Sequence, residues 1–169
     1  CVLGIKKPKI GLLNVGSEDI KGNSVVKQAH EDLKKIEKQI NFYGFVEGDD
    51  INKGIVDVVV TDGFSGNIAL KTAEGVADLI FTYLKNAYQS SFISKLGYIL
   101  SKPALNRFKT RIDPRKYNGA VLLGLNGIIV KSHGGTDAFG FSNAISVAIS
   151  LIKNNYVNTI ENKLTGKHE

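Results

Sequence analysis

The chain of 169 residues contains one cysteine, no methionine and three prolines. With Cys1 alone, a disulfide framework or a cysteine-based metal site within one chain is excluded. One free thiol also fits a reducing cytoplasm. No run is long and apolar enough to span a bilayer, and no signal-peptide pattern is present. Neither G-x-x-x-x-G-K-[ST] nor a clean G-x-G-x-x-G occurs, so neither the P-loop nor the Rossmann fingerprint applies. The three histidines, His30, His133 and His168, are not spaced for a metal, and no metal or cofactor is expected. There is no internal repeat and no low-complexity segment. The last absence is local: no acidic residue occurs from Leu79 to Ile112. The first residues, CVLGIKKPKIGLLNV, read as an ordered run without an initiating Met, so a piece of a longer protein is expected.

What is present suits one ordinary domain with a core. Apolar residues make up 43% and charged residues 22%, as in soluble globular proteins. Eighteen glycines suit tight turns. The net charge of +6 favours anionic partners such as phosphate esters, an acidic protein or an anionic membrane surface; a plain basic surface is the alternative.

Strands and helices alternate. Lys9 to Val15 reads as a buried strand. Val26, Ala29, Leu33, Ile36 and Ile40 then recur at helical spacing, with Asn23 or Ser24 as cap and Glu31–Lys35 as an i,i+4 pair. Ile40 to Val46 is a second strand candidate, Glu47 to Gly54 a connector, and Val56 to Thr61 a third strand. A helix follows with Ala69, Ala73, Val76, Ala77, Ile80 and Leu84 as its expected buried stripe. Ala120 to Leu125 and Ile128 to Val130 flank Asn126-Gly127, a hairpin signal. A last helix is expected from about Thr136, with Phe141, Ile145, Ala148 and Ile152 on one face, before a polar, fraying tail from Asn158. This alternation predicts an α/β domain with a largely parallel sheet, whose ligands sit beyond the carboxyl ends of the strands.

Three such ends carry small polar loops leading into helices: Asn14 to Asn23, Thr61 to Asn67, and Lys131 to Gly135. Glycines allow close backbone approach, and helix starts offer N–H groups to anions. Each loop has a nearby lysine: Lys21, Lys71 and Lys131. Lys71, read as lying in a helix's first turn, opposes the macrodipole unless an anion sits beside it. A phosphate-sized anion site is one reading; ordinary turns with surface lysines are the other. His133 is a candidate general acid or base, or a loop tie. Asp62 orients Lys71 or caps its helix. His30 reads as a surface residue on a helix flank.

The acid-free segment holds Lys85, Lys95, Lys102, Arg107, Lys109 and Arg111. Phe92, Leu96 and Ile99 share one helical face; Leu105, Phe108 and Ile112 share another beyond Pro103, read as a new helix start. Two short basic amphipathic helices over about 88–117 suggest a membrane-surface element, a dock for an acidic protein, or a subunit contact. Few aromatics are arranged for stacking, which disfavours nucleic acid.

The blocks GLLNVGSEDIKGN, NFYGFVEGDDI, VDVVVTDGFSGNIALKTAEG and SKPALNRFKTRIDPRKYNGAVLLGLNGIIVKSHGGTDAFGFSNAI resemble, in order from about Lys9 to Ile152, the C-terminal half of the bacterial phosphate acyltransferases of phospholipid synthesis (the PlsX family). The resemblance implies a three-layer αβα fold like that of phosphotransacetylases and isocitrate/isopropylmalate dehydrogenases. It also implies transfer of a fatty acyl group from acyl carrier protein to inorganic phosphate. A homodimer, peripheral on the cytoplasmic membrane face, is implied as well. Phe92, Lys95, Leu96, Ile99, Lys102 and Arg107 would then serve docking. On this reading Lys21 and Lys71, with backbone around Gly63, Ser65, Gly66 and Asn67, hold phosphate. Lys131 and Ser132 line the substrate site. Asn23, Asn67 or Asn126 donates to the developing oxyanion, and His133 protonates the leaving thiolate or orients phosphate. Competing expectations are a short-chain phosphotransacetylase using coenzyme A and a non-catalytic docking module for carrier protein or membrane.

Overall fold

The computed structural model describes residues 4–165. Cys1 and His168 lie outside the described residues. The chain divides into two compact units, one of Ile5–Ser94 and one running from Lys95 onward, and each is described by itself.

The first unit contains β1 (Lys9–Leu13), α1 (Ser24–Lys35), β2 (Asn41–Val46), α2 (Asp50–Lys53), β3 (Val58–Val60) and α3 (Gly63–Gln89). The three strands are parallel in the order β2-β1-β3. This is the α/β class with a parallel sheet, as a three-layer αβα arrangement requires. β1 is the central strand, hydrogen-bonded on both sides, so its apolar KIGLL sequence suits burial. Leu12, Phe45 and Val46 are buried here. Ile10 pairs with Phe42 but Gly11 with Gly44, so Tyr43 bulges from the β2 edge.

Helix α1 packs on β2 and β1. Asn23 supplies its cap, accepting from the Val26 N–H at 2.9 Å. The helix ends at Lys35, short of Ile40, and Lys35 pairs with Asp32 at 2.7 Å rather than with Glu31. His30 corrects its surface reading, because it is only 5% exposed. It lies four residues after Val26 and three before Leu33, on the face that meets β2, with its ring 4.0 Å from that of Phe45. The expected connector after β2 contains the short helix α2, closed by Gly54 in the left-handed conformation.

Helix α3 departs most from expectation. None of its residues is buried, and Val76 and Ile80 of the anticipated stripe are about half exposed. The apolar spacing is helical, but spacing selects a face without supplying the surface that covers it. β3 is shorter than Val56 to Thr61, and its Val58 and Val60 are likewise partly open.

Helix α4 (Phe92–Arg111) is one element, with Pro103 inside it rather than at a helix start. Proline removes one backbone donor, the bond that would reach the Ile99 carbonyl, without ending the helix. Phe92, Leu96 and Ile99 all face outward.

In the second unit, Pro114–Tyr117 forms a 3-10 turn, and β4 (Ala120–Val121) pairs antiparallel with β5 (Val130–Lys131). The hairpin is present, but its strands are shorter and its loop longer than the apolar runs suggested. Helix α5 (Ala138–Lys153) is capped by Asp137 and packs on the 3-10 turn and β5. Its buried residues are Gly140, Ala144 and Leu151, one position off the expected Phe141, Ile145, Ala148 and Ile152 line, and Phe141, Ile145 and Ile152 are exposed. The larger side chains had suggested the inward face; close contact with the 3-10 turn selects the small ones. The presumed fraying tail contains α6 (Tyr156–Thr165), anchored by buried Tyr156.

Candidate functional site

The first candidate loop continues from β1. The Asn14 N–H donates to the Val46 carbonyl at 2.9 Å, carrying the ladder one residue past the strand. The Asn14 side chain is buried; its Nδ2 donates to the Lys21 carbonyl at 3.2 Å, and its Oδ1 accepts from the Val15 N–H at 2.9 Å. Gly22 closes the loop at φ +93°, where an added Cβ would collide with the Asn14 carboxamide. The loop backbone is therefore held from inside, while the Lys21 ammonium stays outside. It meets the Glu18 carboxylate at 2.8 Å. Their mutual hydrogen bond raises the Lys21 pKa and lowers that of Glu18.

The second loop follows β3. Because β1 and β3 are adjacent and parallel, it lies at the same sheet edge as the first. Asp62 caps α3, accepting from the Ser65 N–H at 2.8 Å; its hydrogen bonds with Ser65, side chain first and then backbone, lower its pKa. The cap role proposed for Asp62 is thus the one it performs. Gly63, Ser65, Gly66 and Asn67 all fall in the opening turns of α3. Lys71 does not belong to the first turn. It lies eight residues beyond Gly63, about 12 Å along the axis at ~1.5 Å per residue, and pairs with Glu74 at 2.7 Å. The macrodipole acts over one turn, so Lys71 carries no dipole penalty that an anion must relieve.

The helix starts also differ in charge. α1 is capped by neutral Asn23, whereas α3 and α5 are capped by the carboxylates of Asp62 and Asp137. A bound anion meets repulsion at the latter two. At α1 it meets a neutral cap, no acidic residue in the first turn, and Lys21 two residues before the cap.

The third loop belongs to the second unit. Lys131 lies in β5 opposite Ala120, and Asn126 is exposed in the hairpin loop. Ser132 and His133 are gathered by Asn118, which sequence reasoning had not singled out. Its Nδ2 donates to Ser132 Oγ and to the Gly140 carbonyl, each at 2.8 Å, and its Oδ1 accepts from the His133 N–H at 2.9 Å. The Gly135 N–H donates to His133 Nδ1 at 3.2 Å. An acceptor at Nδ1 assigns the proton of the neutral ring to Nε2. His133 is exposed, so Nε2–H is presented to solvent as a donor. Of the two roles read for this residue, the geometry shows the loop tie at Nδ1, and it leaves Nε2 exposed.

Arg115 locks the neighbouring segment. Its guanidinium holds Asp113 and Asp137, each at 2.6 Å, while Asp137 Oδ1 caps α5 through the Gly140 N–H at 2.9 Å. Asp113 before Pro114 was a legible cap signal; its tie to Asp137, 24 residues away, was not. The Arg115 hydrogen bonds hold the Asp113 carboxyl down to about 2. A depressed carboxyl stabilises the fold above its unfolded value, and that contribution is lost as pH falls through the folded one. We expect a carboxyl NMR titration of Asp113 to have its midpoint near 2, with the 3-10 turn loosening only between about pH 4 and 2. Arg115→Gln should return the midpoint toward the ordinary aspartate value; an unchanged midpoint would contradict the assignment.

Residues 1–159 match the family described as Fatty acid synthesis protein. The chain belongs to that family. It is 63% identical over 155 residues to a phosphate acyltransferase of Paramagnetospirillum magneticum, covering 92% of this chain and 44% of that protein. A phosphate acyltransferase of Rhodospirillum rubrum is 53% identical over 163 residues, covering 96% and 47%. One from Rhodospirillum centenum is 55% identical over 163 residues, covering 96% and 46%. The chain thus spans about half the length of the curated relatives it matches. All three candidate loops fall within the residues that the family description covers. No described helix is long and apolar enough to cross a membrane.

Proposed function

We propose that the full-length protein containing this chain transfers a fatty acyl group from acyl carrier protein to inorganic phosphate, forming acyl phosphate for phosphatidic acid synthesis. The observation that carries this reading is the 63% identity to a named phosphate acyltransferase across 92% of the chain.

The chemistry joins a phosphate oxygen to the thioester carbonyl carbon and breaks the carbon–sulfur bond. The phosphate proton is released, and the carrier thiolate takes up one. Phosphate is a weak nucleophile, so holding it close to the carbonyl supplies much of the rate. Lys21 and the neutral-capped start of α1 are the groups we assign to phosphate. Asn23, Asn67 and Asn126 are the carboxamides available to the developing oxyanion. His133 Nε2–H, carried by a neutral ring too weakly acidic to give that proton up, suits donation of a hydrogen bond to phosphate or to the leaving sulfur, while the proton that phosphate releases goes to the thiolate. No covalent acyl-enzyme is required.

We further assign α4 to docking, with dimerisation as its companion role. Phe92, Leu96 and Ile99 are exposed by 84, 53 and 64%, and Lys95, Lys102 and Arg107 lie on the same acid-free helix. This pairing suits an anionic surface, whether acidic carrier protein or the inner membrane face. The full-length protein, mixed with long-chain acyl carrier protein and phosphate, is expected to release free carrier thiol and acyl phosphate. Activity confined to acetyl coenzyme A would indicate a short-chain enzyme; binding without product would indicate a docking module. Co-sedimentation should favour anionic over neutral vesicles, and equal, negligible binding would remove the membrane assignment.

A further inference from the structure

We infer that Asn118 is the positioning residue for His133, holding its backbone and ring in the arrangement that presents Nε2–H. This rests on the proposed acyl transfer only for its consequence in rate, because the geometry stands on its own.

Asn118 follows the 3-10 turn and precedes β4, so it lies beside both the hairpin and α5. Its carboxamide makes three contacts. Nδ2 donates to Ser132 Oγ and to the Gly140 carbonyl, and Oδ1 accepts from the His133 N–H. Both amide hydrogens and the oxygen are thus engaged in a part-buried site. Only an uncharged group with a donor end and an acceptor end satisfies all three. Aspartate keeps the acceptor and loses the donors. Leucine loses both and leaves the His133 N–H and the Gly140 carbonyl without this partner.

The contacts also explain why the carboxamide cannot drift. Gly119 adopts φ +121°, and an added Cβ there would lie 3.1 Å from Ala144 Cα. The backbone after Asn118 is therefore pressed against α5. On the other side, the Arg115 carbonyl accepts from Asn143 Nδ2 at 3.0 Å, and the Arg115 guanidinium holds the α5 cap Asp137. Asn118 is fixed from both directions to one helix and reaches from it to the loop. Within that loop the Thr136 N–H donates to the His133 carbonyl at 3.2 Å, and the Gly135 N–H donates to Nδ1. With the His133 N–H also engaged by Asn118, the backbone on both sides of the ring and the ring nitrogen itself are bonded. The Nε2–H tautomer depends on the Gly135 contact, and that contact depends on the loop that Asn118 holds.

The test uses the full-length protein and two readouts. In the first, imidazole nitrogen NMR of the wild type should show one neutral tautomer at His133, protonated at Nε2. Asn118→Ala should give a mixed-tautomer signal, and Asn118→Asp, which keeps the acceptor for the His133 N–H, should stay closer to wild type. In the second, Asn118→Ala should lower kcat roughly 10²-fold with the KM for acyl carrier protein little changed, as expected when a catalytic group is misplaced. Asn118→Asp should recover part of that loss. The double variant Asn118→Ala/His133→Ala should be no slower than His133→Ala alone, because residues acting as a unit are not additive. A wild-type tautomer signal in Asn118→Ala overturns the inference. So does additive loss in the double variant, and so does a slow His133→Ala beside a near-normal Asn118→Ala. If the wild type makes no acyl phosphate but the tautomer shifts as described, the proposed reaction fails and the positioning role stands.

Discussion

His133→Ala in the full-length protein is expected to lower kcat for acyl phosphate formation by about 10²–10³-fold, the usual cost of removing one donor aimed at developing charge. The expectation follows from the tautomer. Nδ1 accepts from the Gly135 N–H, so the neutral ring carries its proton on the exposed Nε2. A developing thiolate gains from that hydrogen bond in proportion to its basicity. The loss should therefore shrink when the carrier thioester is replaced by one with a more acidic thiol. His133→Gln, which keeps a hydrogen-bond donor at a different reach, should fall between wild type and alanine. Near-normal turnover by His133→Ala would remove the catalytic role and leave the ring as a loop tie.

Lys21→Ala is expected to raise the KM for phosphate roughly 10–100-fold, the equivalent of losing one charge-assisted hydrogen bond of about 1.5–3 kcal/mol. The substitution should leave the loop itself in place. Asn14 contacts the Lys21 carbonyl rather than its ammonium, and Gly22 closes against the Asn14 side chain. Glu18 supplies a second variant of opposite sign. Its carboxylate is 2.8 Å from the Lys21 ammonium and competes with any bound anion. Glu18→Gln should therefore lower the KM for phosphate modestly, with a stronger dependence on added salt than in the wild type, because the ammonium is no longer neutralised by its neighbour. An unchanged phosphate KM in both variants would place phosphate elsewhere.

Much of the local chemistry was legible in the residues. The apolar KIGLL and NFYGFV runs form neighbouring parallel strands, and Asn23 caps α1 as its residue type suggested. The Asn126-Gly127 signal marked a hairpin, though only two residues on each side pair. Lys71 was misread because a glycine-rich stretch hides where a helix begins. Asp62 sets that start through its bond to the Ser65 N–H, leaving Lys71 beyond the reach of the helix terminus. His30 was misread because a polar residue on a helix flank usually faces water, and only the ring of Phe45 beneath it decides otherwise. Pro103 failed as a boundary signal because one missing hydrogen bond was tolerated within a long helix.

By itself the sequence determined the α/β class, the polar loops at strand ends and membership of the family described as Fatty acid synthesis protein, because periodicity, turn residues and ordered motifs are properties of neighbours along the chain. Tertiary structure alone decided that His30 is buried, which nitrogen of His133 carries the proton, and that Asn118 governs its loop. Those outcomes depend on contacts such as Asn118 to Gly140 and Arg115 to Asp137, each 22 residues apart. No local pattern encodes a hydrogen bond whose partner arrives only when α5 docks.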